Sequence, residues 1–383
     1  MRIIIILLFS SLFTHAQTTP SFFMARTTGE LPFVEYGTGD DRLGGAKMAF
    51  LDTNILIKVI DSFKTDYKVQ LSKNHTGYID KASLVRVITT PKPEYLTGNW
   101  KVYGDSSFDY VTISLDEKLP YKSIQQIEPS RLVVDIFGAT SNTNWITQLS
   151  SCFEIKNAWY EQTEDDVMRV FIELVHPQHW GHTMYYTGNK LTIRIKRQPV
   201  DLSLEHLTIA IDAGHGGENM GASGTRSKVI EKNYTLLIAK QLQLALLKRK
   251  AHVVMTREKD TTLSMIERIQ FLKDSLPDLL ISIHLNSSSN DSTRGVSTYY
   301  RYIGFRPLSK TILKHMLETG LTEWGNVGNF NFGLSGPTDY PNCLVEVAFL
   351  SNNEDEKLIL DPKFHKLVAR KITEGIEEFL KNL

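Results

Sequence analysis

The run Ile209-Ala210-Ile211-Asp212-Ala213-Gly214-His215-Gly216-Gly217 constrains this chain more than any other stretch. An apolar run that ends abruptly in Asp, His and glycines reads as a buried β-strand carrying polar residues to its carboxyl end, where open α/β sheets place their sites. The pattern recurs. Leu279 to Ile283 is an apolar strand ending in His284-Leu285-Asn286, and Leu344 to Phe349 holds one carboxylate, Glu346, inside an apolar run. Two histidines and a glutamate delivered by separate strands have the sequence pattern of a metal site assembled in three dimensions.

From Leu207 onward, strands alternate with segments of helical period. Leu236, Ala239, Leu242 and Leu246 form one stripe between Asn233 and Lys250, His252 to Thr256 is a strand, and Ser264–Leu276 and Phe364–Leu380 read as further helices. Such alternation predicts an α/β domain over residues 203–383, a twisted, mainly parallel sheet flanked by helices.

The preceding chain has a different grammar. Residues 22–90 contain short strands punctuated by turn residues, which suits a small β-barrel-like module. Its Tyr67 to Leu71 strand and Gly77-Tyr78-Ile79-Asp80 corner resemble bacterial Src-homology-3-like envelope modules. Thr89 to Gly98, with Pro91 and Pro93, reads as a linker. Residues 99–197 carry four alternating strands, predicting a β-sandwich. The phrase Arg131 to Gly138, with the Arg169 and Leu191 strands, resembles the AMIN domain, a module that localises some envelope proteins. Two smaller all-β modules therefore precede the α/β domain.

Residues 1–16 read as a signal peptide: Arg2, an apolar core from Ile3 to Phe13, and a Thr14-His15-Ala16 cleavage site. The apolar core is shorter than the roughly 20 residues of a spanning helix, so the expectation is export with no stable membrane span after cleavage. The expected location is periplasmic, with an extracellular one as the alternative. Cys152 and Cys343 fall in different predicted domains and read as free thiols. Lys+Arg and Asp+Glu both number 43, which removes the bulk electrostatic case for a nucleic-acid partner.

A catalytic zinc takes about three protein ligands and leaves one position for water. His215 and His284 each sit at a strand end and can share one crevice. The third ligand should be acidic or His near a helix start, and Glu231, just before the Asn233 helix, fits. Each His alone is more often structural than a ligand; the joint arrangement favours metal. An unpaired carboxylate inside an apolar strand costs several kcal/mol unless a proton, a cation or a site-facing position compensates. At the end of a central strand Glu346 could move a proton between a zinc-bound water and a leaving amine; a structural salt bridge is the other reading.

Asp212-Ala-Gly-His215-Gly-Gly, Gly221-Ala222-x-Gly224, Glu231-Lys232, Thr256-Arg257, Ser282-Ile-His284-x-Asn286 and Val345-Glu346-x-x-Phe349-Leu350-Ser351-Asn352 resemble, in order and spacing, the motifs of zinc-dependent N-acetylmuramoyl-L-alanine amidases. The resemblance implies that His215, Glu231 and His284 bind Zn2+ and that Glu346 is the catalytic carboxylate. It implies hydrolysis of the amide between N-acetylmuramic acid and L-alanine in peptidoglycan, with an envelope protein as a candidate partner of the β-modules. Two departures stand out: Asn219 where the family often has Asp, and Leu334-Ser335-Gly336-Pro337 where an Arg is often found. The interval from His284 to Glu346 leaves room for an ordinary strand and helix but little for an inserted inhibitory helix. Another zinc peptidase or amidohydrolase, and a non-catalytic wall-binding scaffold, remain the alternatives.

Overall fold

The computed structural model describes residues 22–39 and 45–383. The segment read as a signal peptide, residues 1–16, lies outside the described residues.

The C-terminal sheet has six strands, ordered His252–Met255, Thr208–Ala213, Leu279–Asn286, Asn342–Phe349, Val296–Tyr299 and Glu323–Val327. The first four run parallel, Val296–Tyr299 is antiparallel to Asn342–Phe349, and Glu323–Val327 runs parallel to its neighbour. Side chains alternate between the faces of a strand, and the sequence uses this to separate packing from chemistry. Ile209, Ile211, Ala213, Ile281, Ile283, Val345 and Val347 face one core cluster, where they meet Ile238 and Leu242 of helix α1 (Glu231–Lys248) and Ile372 and Ile376 of α5 (Pro362–Lys381). Ala210 and Leu280 face the other side, against Ile269 and Leu272 of α2 (Met265–Ser275). Asp212, Ser282, His284 and Glu346 share the parity of that second face.

The expected helices are present. Glu231, read as preceding its helix, is the first residue of α1. The chain between His284 and Glu346 forms two short strands and α3 (Arg306–Leu317), followed by a loop that includes Phe332. A short helix, α4 (Asn353–Ile359), follows the Glu346 strand.

The N-terminal residues form an antiparallel seven-stranded sheet, ordered Lys47–Phe50, Phe33–Glu35, Thr76–Asp80, Asp66–Gln70, Leu56–Phe63, Phe23–Thr27 and Leu84–Val87. The next module pairs a four-stranded sheet, centred on Ser130–Phe137 and Val167–Leu174, with a six-stranded one centred on Phe108–Leu115. Two findings revise the sequence reading. The strand Tyr95–Gly104 starts inside the predicted linker, because the prolines at 91 and 93 end just before Leu96 and Thr97 find partners in Thr140 and Leu115. The two β-modules also share a single apolar cluster, running from Ala25, Val34 and Ile79 through Leu119 and Phe137 to Ile193. Bidentate Arg26 on Glu117 ties their surfaces, at 3.0 and 2.8 Å.

Cys152 and Cys343 are free, and burial pushes the Cys152 thiol up to about 11. No helix among the described residues is long and apolar enough to cross a membrane.

Candidate metal centre

His215 stands two residues beyond the Thr208–Ala213 strand, with a left-handed backbone, φ 61°. The turn that presents it is held by buried cations. Arg257 donates to the carbonyls of Ala213, Gly214 and Lys232, at 2.8, 2.9 and 2.7 Å. Arg268 donates to the carbonyl of His215 and to Asp212 Oδ1, the latter at 2.5 Å. Asp212 can occupy a buried strand because its other partners complete it: Thr256 Oγ1 donates to Oδ1 at 2.7 Å and Ser282 Oγ to Oδ2 at 2.6 Å. Burial pushes the Asp212 carboxyl up, but the charges of Arg268 and His284 and these hydrogen bonds hold it below the usual carboxylate range.

Glu231, at the first turn of α1, gains from the partial positive charge of a helix N-terminus. The backbone N–H of Leu285 donates to its Oε1 at 3.0 Å and that of Ala222 to its Oε2 at 2.7 Å, which fixes the carboxylate plane. His215 Nε2 and His284 Nδ1 both lie 3.1 Å from the same Oε1. The ligand-capable atoms of His215, Glu231 and His284 all fall within 4.8 Å of one another. Both metal-ligand histidines expected from the sequence and the expected acidic ligand are thus brought together.

The donor set fits a divalent cation. Asn219 Oδ1, which accepts the Gly221 N–H at 3.3 Å, lies 2.8 Å from His215 Nδ1. With that oxygen accepting, the imidazole proton sits on Nδ1 and Nε2 turns its lone pair inward, the tautomer a metal requires. A lone pair facing a carboxylate oxygen calls for a positive charge between them. His284 uses Nδ1 on Glu231 and leaves Nε2 buried without a hydrogen-bond partner. Its ring also fills the space beside Gly214, where a Cβ would stand 2.4 Å from Cε1. Burial pushes Glu231 up and His284 down, but their mutual hydrogen bonding and charge reverse both: Glu231 is held well below the carboxylate range and His284 is raised.

Glu346 lies directly beside His284 in the parallel register and opposite Ser297 on its other side. It is half-buried, so it is a site-facing carboxylate within an otherwise buried strand. Burial and then the Glu346 charge raise the Tyr299 hydroxyl, whose oxygen accepts a hydrogen bond from Ser297 Oγ at 3.2 Å. The Phe332 ring meets the His284 imidazole edge-on, with centroids 5.1 Å apart.

Sequence reasoning passed over Arg268, Asn219 as a partner of His215, and Phe332. Arg268 was findable: it falls on the inward stripe of α2 beside Ile269 and Leu272, and a cation there demands a buried anion. A second His and carboxylate group, His315, Glu318 and Glu374, lies on the α3–α5 surface. There the Lys371 ammonium already bridges Glu318 and Glu374, at 2.5 and 2.6 Å, so it is a salt-bridge network.

Residues 209–378 match the N-acetylmuramoyl-L-alanine amidase family, and residues 100–202 match the AMIN domain. A Staphylococcus epidermidis protein named "Probable cell wall amidase LytH" is 33% identical over 180 residues, which are 47% of this chain and 60% of that protein. Its Staphylococcus aureus namesake is 33% identical over 175 residues, 45% of this chain and 58% of that one. The chain thus spans less than two thirds of the length of either relative. The catalytic domain of CwlV, an N-acetylmuramoyl-L-alanine amidase from Bacillus (Paenibacillus) polymyxa var. colistinus, is 34% identical, covers 46% of this chain and 98% of its own, and superposes with a TM-score of 0.44.

Proposed function

We propose that this chain, which carries an N-acetylmuramoyl-L-alanine amidase domain behind an AMIN domain, is a zinc-dependent hydrolase of peptidoglycan. The bond cut is the amide between the lactyl group of N-acetylmuramic acid and the L-alanine of the stem peptide. One observation carries the reading: His215, Glu231 and His284 converge within 4.8 Å, inside the matched residues and with Glu346 alongside.

His215, Glu231 and His284 would hold the ion, and Asn219 and the Leu285 and Ala222 amides hold those side chains in place. When bound, zinc supplies Lewis acidity toward the carbonyl oxygen and brings the pKa of a water toward about 7. Glu346 is the proton carrier. It takes a proton as the water oxygen bonds to the amide carbon, and returns it to the nitrogen as the C–N bond breaks, so the products are a lactyl carboxyl and a free L-alanine amine. The chain acts outside the cytoplasm, in the periplasm, after loss of residues 1–16. The β-modules give it a surface for an envelope protein partner.

The test is digestion of purified peptidoglycan by the chain from Gln17 onward, with and without a zinc chelator, and mass spectrometry of the fragments. Chelator-sensitive release of intact stem peptides beginning with L-alanine is expected. Cleavage inside the stem would make it a peptidase instead, and a protein with neither zinc nor release would be a wall-binding scaffold.

A further inference from the structure

The Lys47–Phe50 strand is the edge of the N-terminal sheet, and an open edge presents unpaired backbone groups. Here a side chain of the amidase domain stands in for the missing strand. Asn331 Nδ2 donates to the Gly45 carbonyl at 2.8 Å, and its Oδ1 accepts the Lys47 N–H at 3.4 Å. Arg301 locks the arrangement. It donates to Asn331 Oδ1 at 3.0 Å and to the Lys47 carbonyl. A carboxamide carries the same donor and acceptor as a peptide group, so Asn331 pairs with the edge as backbone would.

Apolar packing makes the same junction. Phe50 and Leu31 of the N-terminal module pack against the cluster of Leu272, Leu334 and Tyr340, to which Phe332 also belongs. Phe50 lies so close to Gly336 that a Cβ there would stand 2.9 Å from its ring. The segment held from outside is the loop whose Phe332 covers the His284 imidazole.

We infer that the edge strand of the N-terminal module is a built-in support of the metal centre: through Asn331 and Phe50 it fixes the 328–336 loop so that Phe332 holds and shields His284. Asn331 and Phe332 are positioning residues, since neither offers an atom to the metal. The inference rests on the reading of His215, Glu231 and His284 as zinc ligands. Its physical basis is that groups around a ligand set its orientation and the access of water, and their loss typically weakens metal binding by roughly 10- to 100-fold.

Three single variants of the full chain test it, Asn331→Ala, Phe332→Ala and Phe50→Ala, the last leaving the amidase domain's own sequence untouched. Zinc affinity is read by competition with a chromogenic chelator, and loop order by amide hydrogen exchange across 328–336. Glu30→Ala is the control, because Glu30 touches the amidase domain at Gln270, 3.3 Å away, and not at the loop. Asn331→Ala and Phe50→Ala should speed exchange across 328–336 and weaken zinc by on the order of 10-fold. Phe332→Ala should weaken zinc similarly, and the control should change neither. Parental exchange in both docking variants would overturn the support role, and faster exchange with parental zinc affinity would overturn its link to the metal. A parent chain that holds no zinc would refute the metal reading instead, and exchange across 328–336 would then decide the docking by itself.

Discussion

Removing the carboxylate of Glu346 while keeping its shape separates its role from that of the ligands. Glu346→Gln should bind zinc as the parent does and lose roughly 10²- to 10⁴-fold in turnover, the usual worth of a positioned general acid and base. Zinc content and initial rates on peptidoglycan measure the two halves, and parental rates would end the assignment. Asp212 makes a different contribution. Asp212→Ala leaves the Arg268 guanidinium buried without its anion, a change that costs about 3–5 kcal/mol and should appear as a lower urea midpoint. The pH dependence follows from the same pair. An unfolded aspartate titrates near about 4, and Asp212 in the fold titrates lower. Its stabilisation is therefore fully present above the unfolded value and is lost as pH falls through the folded one. The acid loss of urea stability should be shallower in Asp212→Asn than in the parent. Of this constellation, Asp212, His284 and Glu346 could be read from the sequence because each interrupts an apolar strand, His215 because it closely follows one, and Glu231 because it stands at the start of a helix. Asn219 could not, since an Asn in a glycine-rich loop has many explanations and only coordinates show it beside His215 Nδ1.

Elements were legible in proportion to the strength of their local signals. Helix α2 announces itself with a complete capping box: Ser264 accepts the Glu267 N–H at 3.2 Å, and the Glu267 carboxylate accepts the Ser264 N–H at 2.7 Å. Ser264→Ala should cost about 1 kcal/mol by thermal or urea unfolding and leave zinc content unchanged, because the cap is a turn away from Arg268. A fall in bound zinc would show instead that the start of α2 also sets the Arg268 geometry. The region between the two central strands was much harder to read. Val296–Tyr299 and Glu323–Val327 are short, and α3 begins at Arg306-Pro307 with no side-chain N-cap, so neither period nor punctuation marks them strongly. The loop carrying Asn331 and Phe332 has no periodic signal at all, since its order comes from a strand nearly 300 residues earlier in the chain.

At the scale of the molecule, the all-β and α/β halves were legible as a change of grammar at Leu207, but the internal boundary near residue 90 was drawn too sharply. Prolines 91 and 93 mark a break in backbone pairing, and such a break says nothing about whether side chains on its two flanks pack together. They do: Ile79, Leu71 and Val34 share one cluster with Leu119, Phe137 and Ile136, and Arg26 and His75 pair across the boundary with Glu117 and Glu164. If burial of this shared cluster holds the modules, covalent continuity between them should be dispensable. Replacing residues 89–94 with a site for a specific protease and cutting there should give two fragments that still run as one particle in size exclusion. They should separate only at the urea concentration that unfolds the β half, because apolar burial, at roughly 25 cal/mol per Å², does not depend on the connecting peptide. Elution as two species in buffer would mean that the modules are tethered neighbours, and that neither the shared cluster nor the contact of the edge strand with Asn331 holds them without the connecting peptide.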